Sequence, residues 1–271
     1  MRIRLGYEIG HRFEQPTPMI VTLNVHHSRV SDLERPDMMI TSPAVPYASY
    51  RDGFGNWCNR VVAPAGEFTV RADTVVRDPG TPDQVPEQSW QVPVENLPQE
   101  TLVYLLGSRY CETDCLSEFA WKTFGHLPKG WPLVQAINTF VHEHIEFDYE
   151  SARPTKTALE ALREGRGVCR DFAHLGVALC RAMNIPARYC TGYLGDIGVP
   201  ISADPMDFSG WFEVYLSAGW HTVDPRNLVP RIGRVLIAQG RDAADVAITT
   251  TFGPNVLTHF KVWTDEFPDE R

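Results

Sequence analysis

Two glycines one residue apart, Gly165 and Gly167, close one apolar-periodic segment and open another, and Cys169 follows directly in the run Gly167-Val168-Cys169-Arg170-Asp171-Phe172-Ala173. The segment before them, from Ala158 to Arg163, carries a capping box, Thr157 with Glu160 three residues on, and reads as a short helix. The segment after them, from about Cys169 to Met183, sets Phe172, Leu175, Leu179 and Ala182 on one stripe at the helical period. Pro186 then blocks continuation. A cysteine in this place starts a helix just beyond a glycine turn. Unpaired backbone N–H groups and the helix dipole there favour a thiolate.

The chain around this point changes character twice. Residues 2–76 read as short strands: Arg2 to Ile9, Met19 to His26, Phe54 to Val61 and Phe68 to Val76. The pairs Asp52-Gly53 and Gly55-Asn56 mark tight turns between them. Prolines 79, 82, 86, 93 and 98 then fall among polar spacers, which disfavours helix and central strand and predicts a linker hugging the surface. Helices are expected from Glu112 to Phe124 and from Pro132 to Ile145. Strands return at Ala187 to Leu194, Trp211 to Leu216, Trp220 to Val223, Arg234 to Ala238, Val246 to Phe252 and Val256 to Trp263, with Gly253-Pro254 turning the last pair into a hairpin-like return. Helices followed by an antiparallel sheet define an α+β arrangement. The expected organisation is an N-terminal β domain over 1–77, a Pro-rich linker over 78–100 and an α+β core over 101–271.

Composition removes several function classes. A formal charge of -9, with no Lys/Arg run to reverse it locally, gives no footing for nucleic acid. No apolar run reaches the roughly 18 residues of a membrane helix, and Met1 to Glu8 lacks the apolar stretch of a signal peptide. The expected setting is the cytoplasm, with no membrane partner. Six cysteines in 271 residues do not make a small-protein disulfide framework. Cys111 and Cys115 are four apart, but no second Cys/His pair at ligand spacing follows, so they read as structural. Cys58, Cys180 and Cys190 read as buried thiols. His142 and His144, two apart on a helix, read as surface residues.

After Cys169 come Ser209-Gly210-Trp211-Phe212-Glu213-Val214-Tyr215-Leu216 and then Trp220-His221-Thr222-Val223-Asp224-Pro225. This order of cysteine, aromatic strand and strand ending in Asp-Pro resembles the core of the transglutaminase-like cysteine hydrolases. Arg181-Ala182, Ile185-Pro186-Ala187-Arg188, Thr191-Gly192-Tyr193 and Leu106-Gly107-Ser108-Arg109-Tyr110-Cys111 add to the likeness, as does Asp52-Gly53-Phe54-Gly55-Asn56 in the first domain. The resemblance implies a papain-like α+β core and acyl chemistry through a thioester, with Cys169 as nucleophile and Asp224 as the group that orients the base. It implies no cofactor and no obligatory metal, and a peptide or protein as substrate or ligand. In that family the aromatic strand opens with His-Ala-Trp, and the histidine is the base. The aligned residue here is Ser209.

Other side chains are poorly placed to replace that base. His174 follows Cys169 by five residues, about 140° around the helix, so the two diverge. His221 stands three residues before Asp224 on a strand, hence on the opposite face. Asp207, two before Ser209, can share its face, but a carboxylate several pK units below a thiol is a weak base for it. Glu213 reads as structural. Positioned acid–base catalysis contributes about 10²–10⁴-fold. Amide cleavage, whose leaving amine needs a proton, suffers most, and activated esters or thioesters suffer least. Two readings remain, an impaired cysteine hydrolase or acyltransferase and a non-catalytic module that keeps the cleft to bind peptide.

Overall fold

The computed structural model describes residues 1–202 and 205–267. Strand β1 (Arg2–Phe13) sends Ile3, Leu5, Tyr7, Ile9 and Phe13 inward and Arg4, Glu8 and Arg12 outward, the period-2 pattern of a half-buried strand. β2 (Thr17–Val21), β3 (Ile40–Ser42), β4 (Tyr47–Arg51), β5 (Trp57–Ala63) and β6 (Gly66–Arg77) complete the N-terminal strands. β1 pairs with β6 and β2 with β5, all antiparallel.

The proline-rich segment runs along the core and is pinned to it. The Asp83 N–H donates to the Arg231 carbonyl at 2.9 Å, and the Trp131 and Ser217 N–H groups donate to Ser89 and Trp90. Asp83 also accepts from the Arg234 guanidinium at 3.0 Å. The strap is therefore held at residues 83 and 89–91, while Gln84, Val85, Glu87 and Gln88 face solvent.

Helices α1 (Thr113–Phe124) and α2 (Trp131–His144) precede a short strand β7 (Glu146–Phe147), helix α3 (Ala158–Glu164), strand β8 (Arg166–Gly167) and helix α4 (Cys169–Ala182). The capping box at Thr157 and Glu160 is formed, with both reciprocal hydrogen bonds present. Each glycine of the turn has its own reason. Gly165 takes φ 62°, the left-handed conformation that ends α3. At Gly167 a Cβ would stand 2.6 Å from the Asp171 carboxylate, which reaches back to the Val168 N–H at 3.0 Å and caps α4. Parallel pairing of β7 with β8 fixes the turn from the other side.

Strands β9 (Ala187–Tyr193), β10 (Ser209–Leu216), β11 (Gly219–Val223) and β12 (Val235–Gly240) form one antiparallel sheet in the order β11-β10-β9-β12. α4 packs on this sheet, and nearly all of its side chains are buried. Its one internal arginine, Arg181, is fully paired. The guanidinium donates to the carbonyls of Ala187, Leu106 and Arg241 and to the Ser108 hydroxyl. A buried cation is tolerable only with such a set of acceptors, and here it ties the helix to the loop before α1 and to the end of β12.

The C-terminal strands correct the expected boundaries. β13 (Thr249–Thr251) and β14 (Asn255–Phe267) do not pair as a hairpin. β13 joins β2, and β14 runs antiparallel along the whole of β1, from Asn255 opposite Phe13 to Phe267 opposite Arg2. Two four-stranded sheets result, β14-β1-β6-β3 and β13-β2-β5-β4. The N-terminal layer thus takes its outer strand from the far end of the chain, and the 101–271 span does not form one sheet system. Residues 268–271 of that span lie outside the described residues. Local alternation marks a strand without naming its partner. Buried side chains of both layers and of α1, α2 and α4 merge into one hydrophobic core.

Candidate active site

Three pieces of chain meet at Cys169. The start of α4 carries the thiol, and the start of β10 lies against it, close enough that a Cβ on Gly210 would stand 3.4 Å from the Arg170 nitrogen. The Gly210 and Arg170 N–H groups both interact with the Cys169 sulfur. Two hollows flank the sulfur, of about 280 and 410 Å³. Val168, Cys169, Asp207, Phe208 and Ser209 line both, so Cys169 and Ser209 border the same space from different elements.

Asp224 is held one layer back. It follows β11 and is buried, and it lines neither of these hollows. Its carboxylate accepts from the Asn227 N–H at 3.1 Å, from the Asn227 side-chain amide at 2.8 Å and from the Arg234 guanidinium at 2.8 Å. Arg234 is itself buried. It lies between Asp224 and Asp83, with its guanidinium carbon 4.6 Å from the Trp211 ring centroid. Of the expected site residues, Cys169 and Ser209 come together, and Asp224 serves a buried ion-pair network behind them.

The thiol corrects an expectation. Burial pushes Cys169 up to about 11, and the negative charges of Asp207 and Asp224 push the same way. The Gly210 N–H on β10 and the Arg170 N–H at the helix start oppose this and are outweighed. Desolvation of a thiolate is the larger effect here. Asp207 is pushed up as well, by burial of its carboxyl in the cleft wall, with the Phe208 N–H donating to it at 2.6 Å.

No histidine lines either hollow among the described residues. His174 is fully buried and stacked on Tyr110, its Nε2 accepts from the Ala243 N–H at 3.1 Å, and burial pulls its pKa well down. That bond makes it a neutral structural group. His221 pairs with Val214 across the sheet. His142 and His144, expected at the surface, are half-buried. Each donates to a carbonyl, His142 Nδ1 to Pro225 at 2.8 Å and His144 Nε2 to Leu162 at 2.6 Å. His142 thereby anchors the turn after Asp224. Glu213 is ion-paired with Arg188 on the neighbouring strand. Cys111 is buried and Cys115 exposed, so the two do not face each other.

The sequence reading missed the arginines after Asp224. Arg226 and Arg231 line the smaller hollow with Cys169, and Arg234 closes the network behind it. The signal was available as three arginines within nine residues of a turn, in a chain that is otherwise acidic.

The profile of the transglutaminase-like superfamily matches residues 125–225, a stretch that holds Cys169, Ser209 and Asp224. The chain is similar to the crystal structure of a candidate cysteine protease from Cytophaga hutchinsonii, at 30% identity and a TM-score of 0.86, over 100% of this chain and 92% of that one. An uncharacterized protein of Mycobacterium tuberculosis is 31% identical over 221 residues, 72% of this chain and 68% of that protein. One from Mycobacterium leprae is 24% identical over 91% of each chain.

Proposed function

The chain belongs to the transglutaminase-like superfamily, and on that premise we propose that it forms acyl-thioesters at Cys169 from peptide donors with ester or thioester carbonyls, and that it turns over amides, glutamine side chains included, poorly. The observation that carries this reading is Ser209, which shares both hollows with the thiol where a relative would present imidazole, in a cleft that no histidine lines among the described residues. The thiolate attacks the carbonyl, a C–S bond forms, and the C–O, C–S or C–N bond to the leaving group breaks. An alkoxide or thiolate departs without help. An amine must first take a proton, and a serine hydroxyl does not supply it at neutral pH. We place this chemistry in the cytoplasm, in keeping with six free thiols.

Matched amide, ester and thioester donors of one peptide test the proposal. Thioester and ester turnover that Cys169→Ala abolishes is expected, with amide turnover lower by about 10²-fold or more. Amide turnover equal to ester turnover would overturn the role given to Ser209. A second reading, peptide binding without turnover, draws on the high pKa of Cys169. It predicts that Cys169→Ala leaves peptide affinity unchanged while no donor is consumed.

A further inference from the structure

The smaller hollow is lined by two carboxyls, Asp196 and Asp207, and by two guanidiniums, Arg226 and Arg231. Arg231 is committed, since its guanidinium donates to the Asn227 side chain at 2.7 Å and to the Gly195 carbonyl at 2.9 Å and lies 3.8 Å from Asp196. Asp196 in turn accepts from the Ser202 N–H. Arg226 is different. It is half-buried, its guanidinium carbon lies 3.7 Å from the Phe147 ring centroid, and it makes no hydrogen bond or ion pair with any described residue. Stacking on an aromatic face fixes the plane of the fork and leaves its N–H groups free to meet a planar anion. Phe147 is itself held edge-on by Tyr149, and both line the hollow. A stacked cation with no hydrogen-bond or ion-pair partner among the described residues, in the same small cavity as Cys169, can receive an anion.

We propose that Arg226 recognises a carboxylate of the peptide substrate, positioned beside the carbonyl that Cys169 attacks. This rests on the acyl-transfer reading of the cleft. The hollow, at about 280 Å³, lies at the lower end of small-ligand sites and suits one or two residues of an extended chain. The carboxylate comes either from an acidic side chain next to the reacting carbonyl or from the peptide's own C-terminus. The larger hollow on the other side of the thiol is lined by Arg170, which is paired with Asp171, so selectivity for an anion belongs to the Arg226 side.

Alkylation reads this recognition without turnover. Iodoacetate and iodoacetamide differ in charge and little in size, and exposed Cys115 in the same chain corrects for their intrinsic reactivities. Mass spectrometry should find Cys169 favouring iodoacetate over iodoacetamide by about tenfold relative to Cys115, the scale of one hydrogen-bonded charge pair. Arg226→Gln should erase the preference, and Arg226→Lys should keep part of it. A Cys169 preference that is absent, or unchanged in Arg226→Gln, overturns the proposal. Calorimetry with capped peptides separates the two sources. A glutamate peptide with an amidated end and an alanine peptide with a free carboxylate are each compared with a glutamine peptide that has an amidated end. Loss of the preference for either acid in Arg226→Gln supports the proposal and identifies its source, and equal binding of all three peptides overturns it. A Cys169 that resists both reagents sinks the acyl-transfer reading, while the calorimetric comparison still decides on Arg226.

Discussion

The Asp224 carboxylate receives the Arg234 guanidinium at 2.8 Å, so the residue that would orient a catalytic histidine is neutralised by a buried arginine. Arg234 in turn ties the proline-rich strap, through Asp83, to the floor of the site. Removing one partner of such a network leaves a buried charge uncompensated, at a cost of about 3–5 kcal/mol. Arg234→Met should therefore lower the unfolding free energy by that order, measured by urea denaturation. A loss below about 1 kcal/mol would mean that the network is structurally idle.

The pH dependence of Cys169 alkylation has a defined sign. Burial and two nearby carboxylates disfavour the thiolate, so the rate at Cys169 should climb with pH to a midpoint near 11, far above the 8.5 or so of a free thiol. Asp207→Asn should move the midpoint down, because a negative charge that opposes ionisation is gone. A midpoint at or below that of a free thiol would restore the helix N-terminus as the dominant influence.

An imidazole introduced at position 209 should raise amide turnover, but with a steric condition. Ser209→His places a base beside the thiol and should raise acyl transfer from amides by roughly 10²-fold. The relatives' alanine at the next position does not fit, since a Cβ on Gly210 would stand 2.6 Å from the Tyr189 hydroxyl. Adding Gly210→Ala should cost stability, and further adding Tyr189→Phe should recover it. Steady-state rates on an amide donor, with Cys169→Ala as the blank, report the first effect and thermal melts the second. A well-folded Ser209→His protein with no gain would place the defect beyond the missing base.

In the N-terminal layer Asp37 sits in a mostly apolar hollow with Met38, Met39 and Tyr47, where burial pushes its carboxyl up to about 6. The folded state thus holds this proton more tightly than the unfolded state does, whose value is near 3.9. The contribution is fully present below about pH 4 and is lost as pH rises through about 6, on the order of 3 kcal/mol. Asp37→Asn should flatten stability between pH 4 and 6. A denaturation series across that window checks it, and an unchanged slope would rule the group out.

What the chain decided locally, it announced in its sequence. The capping box at Thr157, the paired glycines, the apolar stripe of α4 and the alternation of β1 all rest on contacts within a few residues, and each element formed near its expected bounds. Cys169 and Ser209 border the same hollows because the order of helix and strand in this fold brings α4 against β10. Three outcomes needed the assembled molecule. β14 chose β1 over its neighbour β13, since strand alternation carries no label for its partner. The thiol pKa rose because packing around the sulfur outweighed the helix-start N–H that the sequence foretold and the Gly210 N–H that it did not. Asp224 turned to Arg234, ten residues on, and Arg226 was left stacked on Phe147 beside the nucleophile. Burial, sheet partner and charge pairing depend on where distant segments come to rest. They are decided by the tertiary structure.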